Sequence, residues 1–252
     1  MTNKVYLNMK ISIVIFLAGI SIISLIMVIF FKNVDDNIVS LPIKSGDKII
    51  IYEKDKNAFI EVKHVSMMTS LEIPQVLIEY YSIYLERLRI GIIMRTIYLD
   101  YYRLKEDVFF RDPGIITKLA HNSLVINQKR VPCLTKEALL AYKIFKKYSS
   151  DKILEFYLNK TYFGHGIFGF KAASQYYFGK NISQLQIHEI AFLISISMDF
   201  LHTNILEEEK ARLNFENAKV NRDKILEKMA GRKIITTEQA EKFKNMPLII
   251  NY

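Results

Sequence analysis

From Lys136 to Lys180 the chain reads KEALLAYKIFKKYSSDKILEFYLNKTYFGHGIFGFKAASQYYFGK. Its patterning predicts three helices: Lys136 to Lys147, Ser150 to Tyr162 and Gly169 to Tyr177. Asp151 suits an N-cap, Gly179 suits a C-terminal breaker, and His165 between Gly164 and Gly166 reads as loop. Working outward, helices are expected at Thr117 to Val125, Ile182 to Ser197 with Ser183 as a cap, and Glu207 to Met229. A short one opens at Thr237 and Glu238. The fold class expected is mostly α.

On the N-terminal side, Lys48 to Val65 reads as a hairpin. Ile49, Ile50, Ile51 and Tyr52 run into the turn-rich Glu53-Lys54-Asp55-Lys56-Asn57, and Phe59, Ile60 and Val62 resume the strand character. Val76 to Tyr102 is rich in Ile, Leu and Tyr, with Glu86, Arg87, Arg89 and Arg95 interspersed. It fits either a core helix pair or a membrane-facing surface with basic residues at phosphate level.

Ile11 to Phe31 carries no charge and is bounded by Lys10 and Lys32. At ~1.5 Å per residue such a helix spans roughly 30 Å, a bilayer core. No small-residue cleavage site follows Phe31, so an uncleaved anchor is expected. Lys4 and Lys10 before it favour an inside N-terminus. The expected organisation is a cytoplasmic N-terminus over 1–10, an anchor over 11–31, a connector over 32–47 and a domain over 48–252. No second large enzymatic domain fits within this length.

The chain has 252 residues, half of them apolar, and a net charge of +9. A basic excess suits phosphate-bearing partners, and the anchor favours lipid over nucleic acid. No nucleic-acid-binding module is recognisable. The single cysteine, Cys133, excludes an intramolecular disulfide. No dinucleotide or P-loop glycine run is present.

The run YLNKTYFGHGIFGFKAASQYYFGK resembles the central part of the peptidoglycan glycosyltransferases, that is, monofunctional biosynthetic transglycosylases and the glycosyltransferase domain of class A penicillin-binding proteins. IIIYEKDKNAFIEVKHVSMMTSLEIPQVL is similar to the family's opening hairpin and Ile-Pro segment. LAHNSL, NRDKILEKM and ITTEQAEKF resemble later segments, so the likeness extends from Ile49 to Phe243. It implies a lysozyme-like helical domain with a hydrophobic jaw on the outer face of the bacterial cytoplasmic membrane. The substrates implied are lipid-linked disaccharide (lipid II) and nascent glycan, with other cell-wall synthesis proteins as partners. The ending of the chain points to the monofunctional members.

The implied chemistry is attack of a sugar hydroxyl on an anomeric carbon with departure of lipid pyrophosphate. It needs a carboxylate base, and cations or a divalent metal at the pyrophosphate. The family's base Glu falls near Leu85, where Glu86 is the nearest carboxylate; Glu106 in KEDVFF is the alternative. The Gln-Gln pair is replaced by Thr117 and Lys118, and Lys118 is a candidate phosphate contact. The Arg-Lys-x-x-Glu motif falls on Cys133, Leu134, Thr135, Lys136 and Glu137. Glu137 keeps its register, and Ala141 at i+4 offers it no helix partner. Arg130 and Lys136 stand near the replaced pair, while Tyr157, Asn159 and Arg222 match further family positions as substrate contacts. The apolar framework is thus kept better than the polar site, which fits either a divergent enzyme or a non-catalytic binding protein of the same fold. A hydrolase is disfavoured because no carboxylate pair has distinctive context.

Overall fold

Ser150–Lys160 forms a helix whose residues from Ile153 to Lys160 are all buried, so it is core on every face. The computed structural model describes residues 35–53, 56–86, 114–127, 134–199 and 208–250. Its elements are β1 (Lys48–Glu53), β2 (Lys56–Glu61), β3 (His64–Val65), α1 (Gln75–Glu86), α2 (Gly114–Asn127), α3 (Leu134–Lys147), α4 (Ser150–Lys160), β4 (Ile167–Phe168), α5 (Phe170–Phe178), α6 (Ile187–Asp199), α7 (Glu208–Gly231) and α8 (Thr237–Lys244). Two compact units are distinguished, Met1–Asp36 and Asn37–Tyr252. The expected span over 11–31 lies outside the described residues. Among the described residues no helix is long and apolar enough to cross a membrane.

Helix α3 turns Leu139, Leu140, Ala141 and Ile144 into the core and leaves Lys146 and Lys147 exposed in its last turn. Those lysines oppose the negative end of the helix dipole. Ser149, not Asp151, caps α4: its hydroxyl accepts from the Lys152 amide at 3.4 Å. Asp151 sits in the first turn, where a carboxylate also favours a helix start. Helix α4 packs against α2, which in turn packs on α1, α3 and β1.

After α4 the chain turns sharply through three glycines, Gly164, Gly166 and Gly169, each with positive φ. Gly166 has φ +77°, and a Cβ there would lie 2.5 Å from the Glu61 carbonyl oxygen. Its carbonyl accepts from the amides of Lys63 at 2.9 Å and His64 at 3.2 Å. This close approach allows β4 to pair in parallel with β3, His64 opposite Ile167 and Val65 opposite Phe168. The hairpin is as expected: β1 and β2 are antiparallel, from Lys48 opposite Glu61 to Glu53 opposite Lys56.

Gly179 ends α5 in the left-handed region, φ 63°, and its amide returns to the Gln175 carbonyl. The helix expected from Ile182 to Ser197 is two pieces. A 3-10 turn over Ile182–Gln184 is closed by Asn181 rather than Ser183. α6 then begins at Ile187, where the Glu189 carboxylate accepts from the Gln186 amide at 2.8 Å. α6 packs on α7, and α7 on α8.

Residues 37–45, expected as connector, pack with the domain. Val39 and Ile43 are buried, and the 3-10 turn Asp36–Val39 is followed by the exposed Pro42 neighbour Leu41. In α1, Leu77, Tyr80, Tyr81 and Tyr84 are buried, which is the core alternative for that part of the sequence. Arg232 beyond α7 donates to the Tyr80 carbonyl and the Tyr84 hydroxyl, both at 3.2 Å, and lies over both rings.

Candidate active site

Glu137, in the first turn of α3, is buried, and its Oε1 lies 2.9 Å from Nδ1 of His121 on α2. An ionised carboxylate only accepts, so the imidazole donates. The pair is asymmetric: the His121 side chain is 33% exposed and that of Glu137 10%. The partner that Glu137 lacks along its own helix is therefore supplied from the neighbouring one. Nothing in the sequence marks His121, because the contact depends on how α2 crosses α3.

Lys118 lies one turn before His121 on α2, and Lys136 precedes Glu137 on α3; both are half-buried. Residues three apart on a helix are surface neighbours, so Lys118 and His121 share a face. Asn122, next to His121, donates to the Lys160 carbonyl at 3.2 Å and ties α2 to the end of α4.

The other expected site residues fare differently. Tyr157 is buried in the core, its ring 5.4 Å from that of Tyr81. Asn159 is buried, with Oδ1 accepting from the Met68 amide at 2.8 Å and Nδ2 donating to the Met68 carbonyl at 2.7 Å. Arg222 is fully buried; it pairs with Asp223 at 2.7 Å and donates to the carbonyls of Lys244 at 2.8 Å and Met246 at 3.3 Å. The polar atoms of Asn159 and Arg222 are committed to the protein's own backbone, so the geometry gives both a holding role rather than a substrate contact. Glu86 closes α1, and its side chain lies outside the described residues, as do Glu106 and Arg130.

Further polar features of the fold had no sign in the sequence. Glu155, buried in α4, accepts from the Ser70 amide at 2.9 Å and hydroxyl at 2.8 Å, and pairs with Lys152. Burial pushes this carboxyl up, but the hydrogen bonds from Lys152 and Ser70 outweigh it and hold it below the ordinary value. Glu72 closes the same turn through Thr69 and pairs with Lys171; that hydrogen bond above all holds it down at about 2. Lys160 is buried and donates to the carbonyls of Leu41 at 2.9 Å and Ile38 at 3.2 Å, and burial pushes it down to about 8. Among the described residues no group of three or more His, Cys, Asp or Glu is placed to hold a metal ion. Glu137 alone does not make a cation site.

The family model described as transglycosylase matches residues 114–230, from the start of α2 almost to the end of α7. The chain contains a transglycosylase domain. Penicillin-binding protein 1F of Bacillus subtilis (strain 168) is 30% identical to it over 245 residues, covering 94% of this chain and 33% of that protein. Penicillin-binding protein 1A of Rickettsia bellii is 26% identical over 265 residues, covering 99% and 32%. The transglycosylase-domain chain thus spans about a third of the length of these two relatives. Penicillin-binding protein 1A of Aquifex aeolicus is 35% identical over 136 residues, covering 54% and 18%. A crystal structure of penicillin-binding protein 1A from Haemophilus influenzae is 18% identical, with a TM-score of 0.43, over 84% of this chain and 22% of that one. Glu137 and His121 both fall inside the matched transglycosylase region.

Proposed function

We infer that the chain is a membrane-anchored peptidoglycan glycosyltransferase-like protein. It takes lipid-linked disaccharide and polymerises it into glycan at the outer face of the bacterial cytoplasmic membrane, among other cell-wall synthesis proteins. In this reading residues 11–31 are the anchor and the domain beyond the connector is lysozyme-like. The observation that carries it is the transglycosylase match from 114 to 230, with Glu137 held at the α2–α3 surface by His121.

In the reaction, a carboxylate from the segment after the Ile-Pro turn, Glu86 or Glu106, takes the proton of the attacking hydroxyl. Lys118, Lys136 and Arg130 face the phosphates of the departing carrier, and Glu137 organises that side of the site. Positioning of two substrates along one membrane surface lowers the barrier further. The test is synthesis of glycan from lipid-linked disaccharide by the purified full chain. Activity is expected, with a loss of about a hundredfold in Glu86→Gln or Glu106→Gln, whichever is the base. Activity unmoved by Glu86→Gln, Glu106→Gln and Glu137→Gln alike removes the assignment.

A second reading is binding without turnover on the same fold. Thr117 and Lys118 in place of the glutamine pair, and Cys133 and Leu134 in place of the Arg-Lys pair, favour it. A thiol cannot clamp phosphate as a guanidinium does. Saturable binding of the lipid-linked disaccharide with no polymer formed would select this reading; polymer formation would end it.

A further inference from the structure

We propose that the rings of His64, His165 and Tyr176 form a surface platform for a saccharide chain. The proposal takes its ligand class from the glycan reading above. It places a contact for glycan on β3, the turn before β4, and α5, none of them part of the α2–α3 surface.

Ring geometry defines the platform. The His165 ring lies nearly parallel to that of Tyr176, with centroids 5.9 Å apart and planes at 22°. The His64 ring meets the same tyrosine at 5.7 Å and 44°. On the core side the buried Tyr177 ring stands edge-on to Tyr176 at 5.1 Å, and its hydroxyl donates to the Phe163 carbonyl at 2.7 Å. Both imidazoles are exposed, and Tyr176 is half-buried.

His165 stands there against the preference of its backbone. Its φ is +52°, between Gly164 at +86° and Gly166 at +77°. Such a turn favours glycine at every position, because a β-carbon crowds the following carbonyl. The turn is closed by backbone bonds alone, with the Ile167 amide donating to the Gly164 carbonyl at 2.8 Å. Among the described residues, neither imidazole nor the Tyr176 hydroxyl is hydrogen-bonded to the protein. A side chain held in a disfavoured conformation, with no such bond to make, points to a ligand.

The chemistry selects that ligand. A sugar ring has an apolar C–H face, which suits an aromatic surface, and a rim of hydroxyls that both donate and accept. A neutral imidazole offers the same two roles, one nitrogen donating and the other accepting. Burial, and then the charge of Lys63, hold His165 below its ordinary value, so it is neutral at pH 7. A phosphate would gain no charge from that ring. Lys63 and Gln175, the chain neighbours of His64 and Tyr176, are exposed and polar, so an apolar peptide side chain would find no groove.

The full chain in detergent micelles is titrated with a soluble β-1,4-linked N-acetylglucosamine hexamer, which carries neither lipid nor phosphate. Wild type is expected to bind saturably, and Tyr176→Ala about tenfold more weakly. His165→Gly separates a ligand role from a structural one. Glycine takes φ +52° without strain, so this variant is expected to melt within about 2 °C of wild type yet bind about fivefold more weakly. Wild-type affinity in either variant overturns the proposal, and so does a wild-type chain that leaves the hexamer unbound. Glycan synthesis from lipid-linked disaccharide is measured on the same preparations. Synthesis without hexamer binding removes the platform alone. Hexamer binding that both variants weaken, without synthesis, removes the glycosyltransferase reading and leaves the platform standing.

Discussion

At the scale of single residues, the fold depends on a few places where only one side chain fits. Gly166 is the clearest, because positive φ and a 2.5 Å approach to the Glu61 carbonyl coincide there. Gly166→Ala is expected to destabilise by about 2–4 kcal/mol in urea unfolding, from the backbone strain and the clash together. Single residues also show where sequence patterning stops. Lys160, in the last turn of α4, is buried and donates to the carbonyls of Ile38 and Leu41. Asn159 and Arg222 read as substrate contacts because their positions match family motifs. Their side chains instead hold Met68 and the chain after α8. A motif match fixes a residue's place in the fold; it does not say which way its hydrogen bonds run.

At the scale of elements, most helices were legible because burial follows their apolar spacing: Leu139, Leu140 and Ile144 in α3, Ile153, Leu154 and Leu158 in α4. Gly179 was legible for a local reason, the left-handed cap. Helix starts were less so. Ser149 competes with Asp151 within two residues, and the gap between Ile182–Gln184 and α6 turns on a carboxylate, Glu189, that returns to a backbone amide. The Glu137–His121 contact was not legible, since it joins two helices sixteen residues apart in sequence. The segment from Ser66 to Glu72 is held to α4 as well as closed on itself through Thr69 and Glu72. Asn159 bonds Met68 twice, and Glu155 bonds Ser70 twice. Asn159→Ala strands a buried amide and carbonyl, and is expected to cost about 2–4 kcal/mol. It should also raise amide hydrogen exchange selectively at Met68. Exchange unchanged at that amide would mean the segment is held by something else.

At the scale of the whole molecule, buried titratable groups set the response to pH. Burial lowers Lys160 to about 8, so between pH 8 and 10 the unfolded chain holds a proton that the folded one has released. Stability then rises with pH over that window, by about 2 kcal/mol from this group. Burial raises Tyr80, Tyr81 and Tyr162, so above pH 10 the unfolded chain loses protons that the folded one keeps, and stability falls. Urea unfolding of the full chain should therefore show greatest stability near pH 10, and Lys160→Met should remove the rise from 8 to 10 while leaving the fall. A wild-type profile flat from 8 to 10 would contradict the placement of Lys160.

In the proposed function a lipid-pyrophosphate-linked glycan is received where α2 and α3 meet, beside the His121–Glu137 pair. The most direct measurement is the affinity of the full chain for that carrier, wild type beside a protein in which His121 and Lys118 are both replaced by Asn. Saturable binding by the wild type and a loss of about fiftyfold or more in the double variant, at unchanged helix content, is the expected result. Equal affinity in the two proteins, or no binding by a folded wild type, would contradict it.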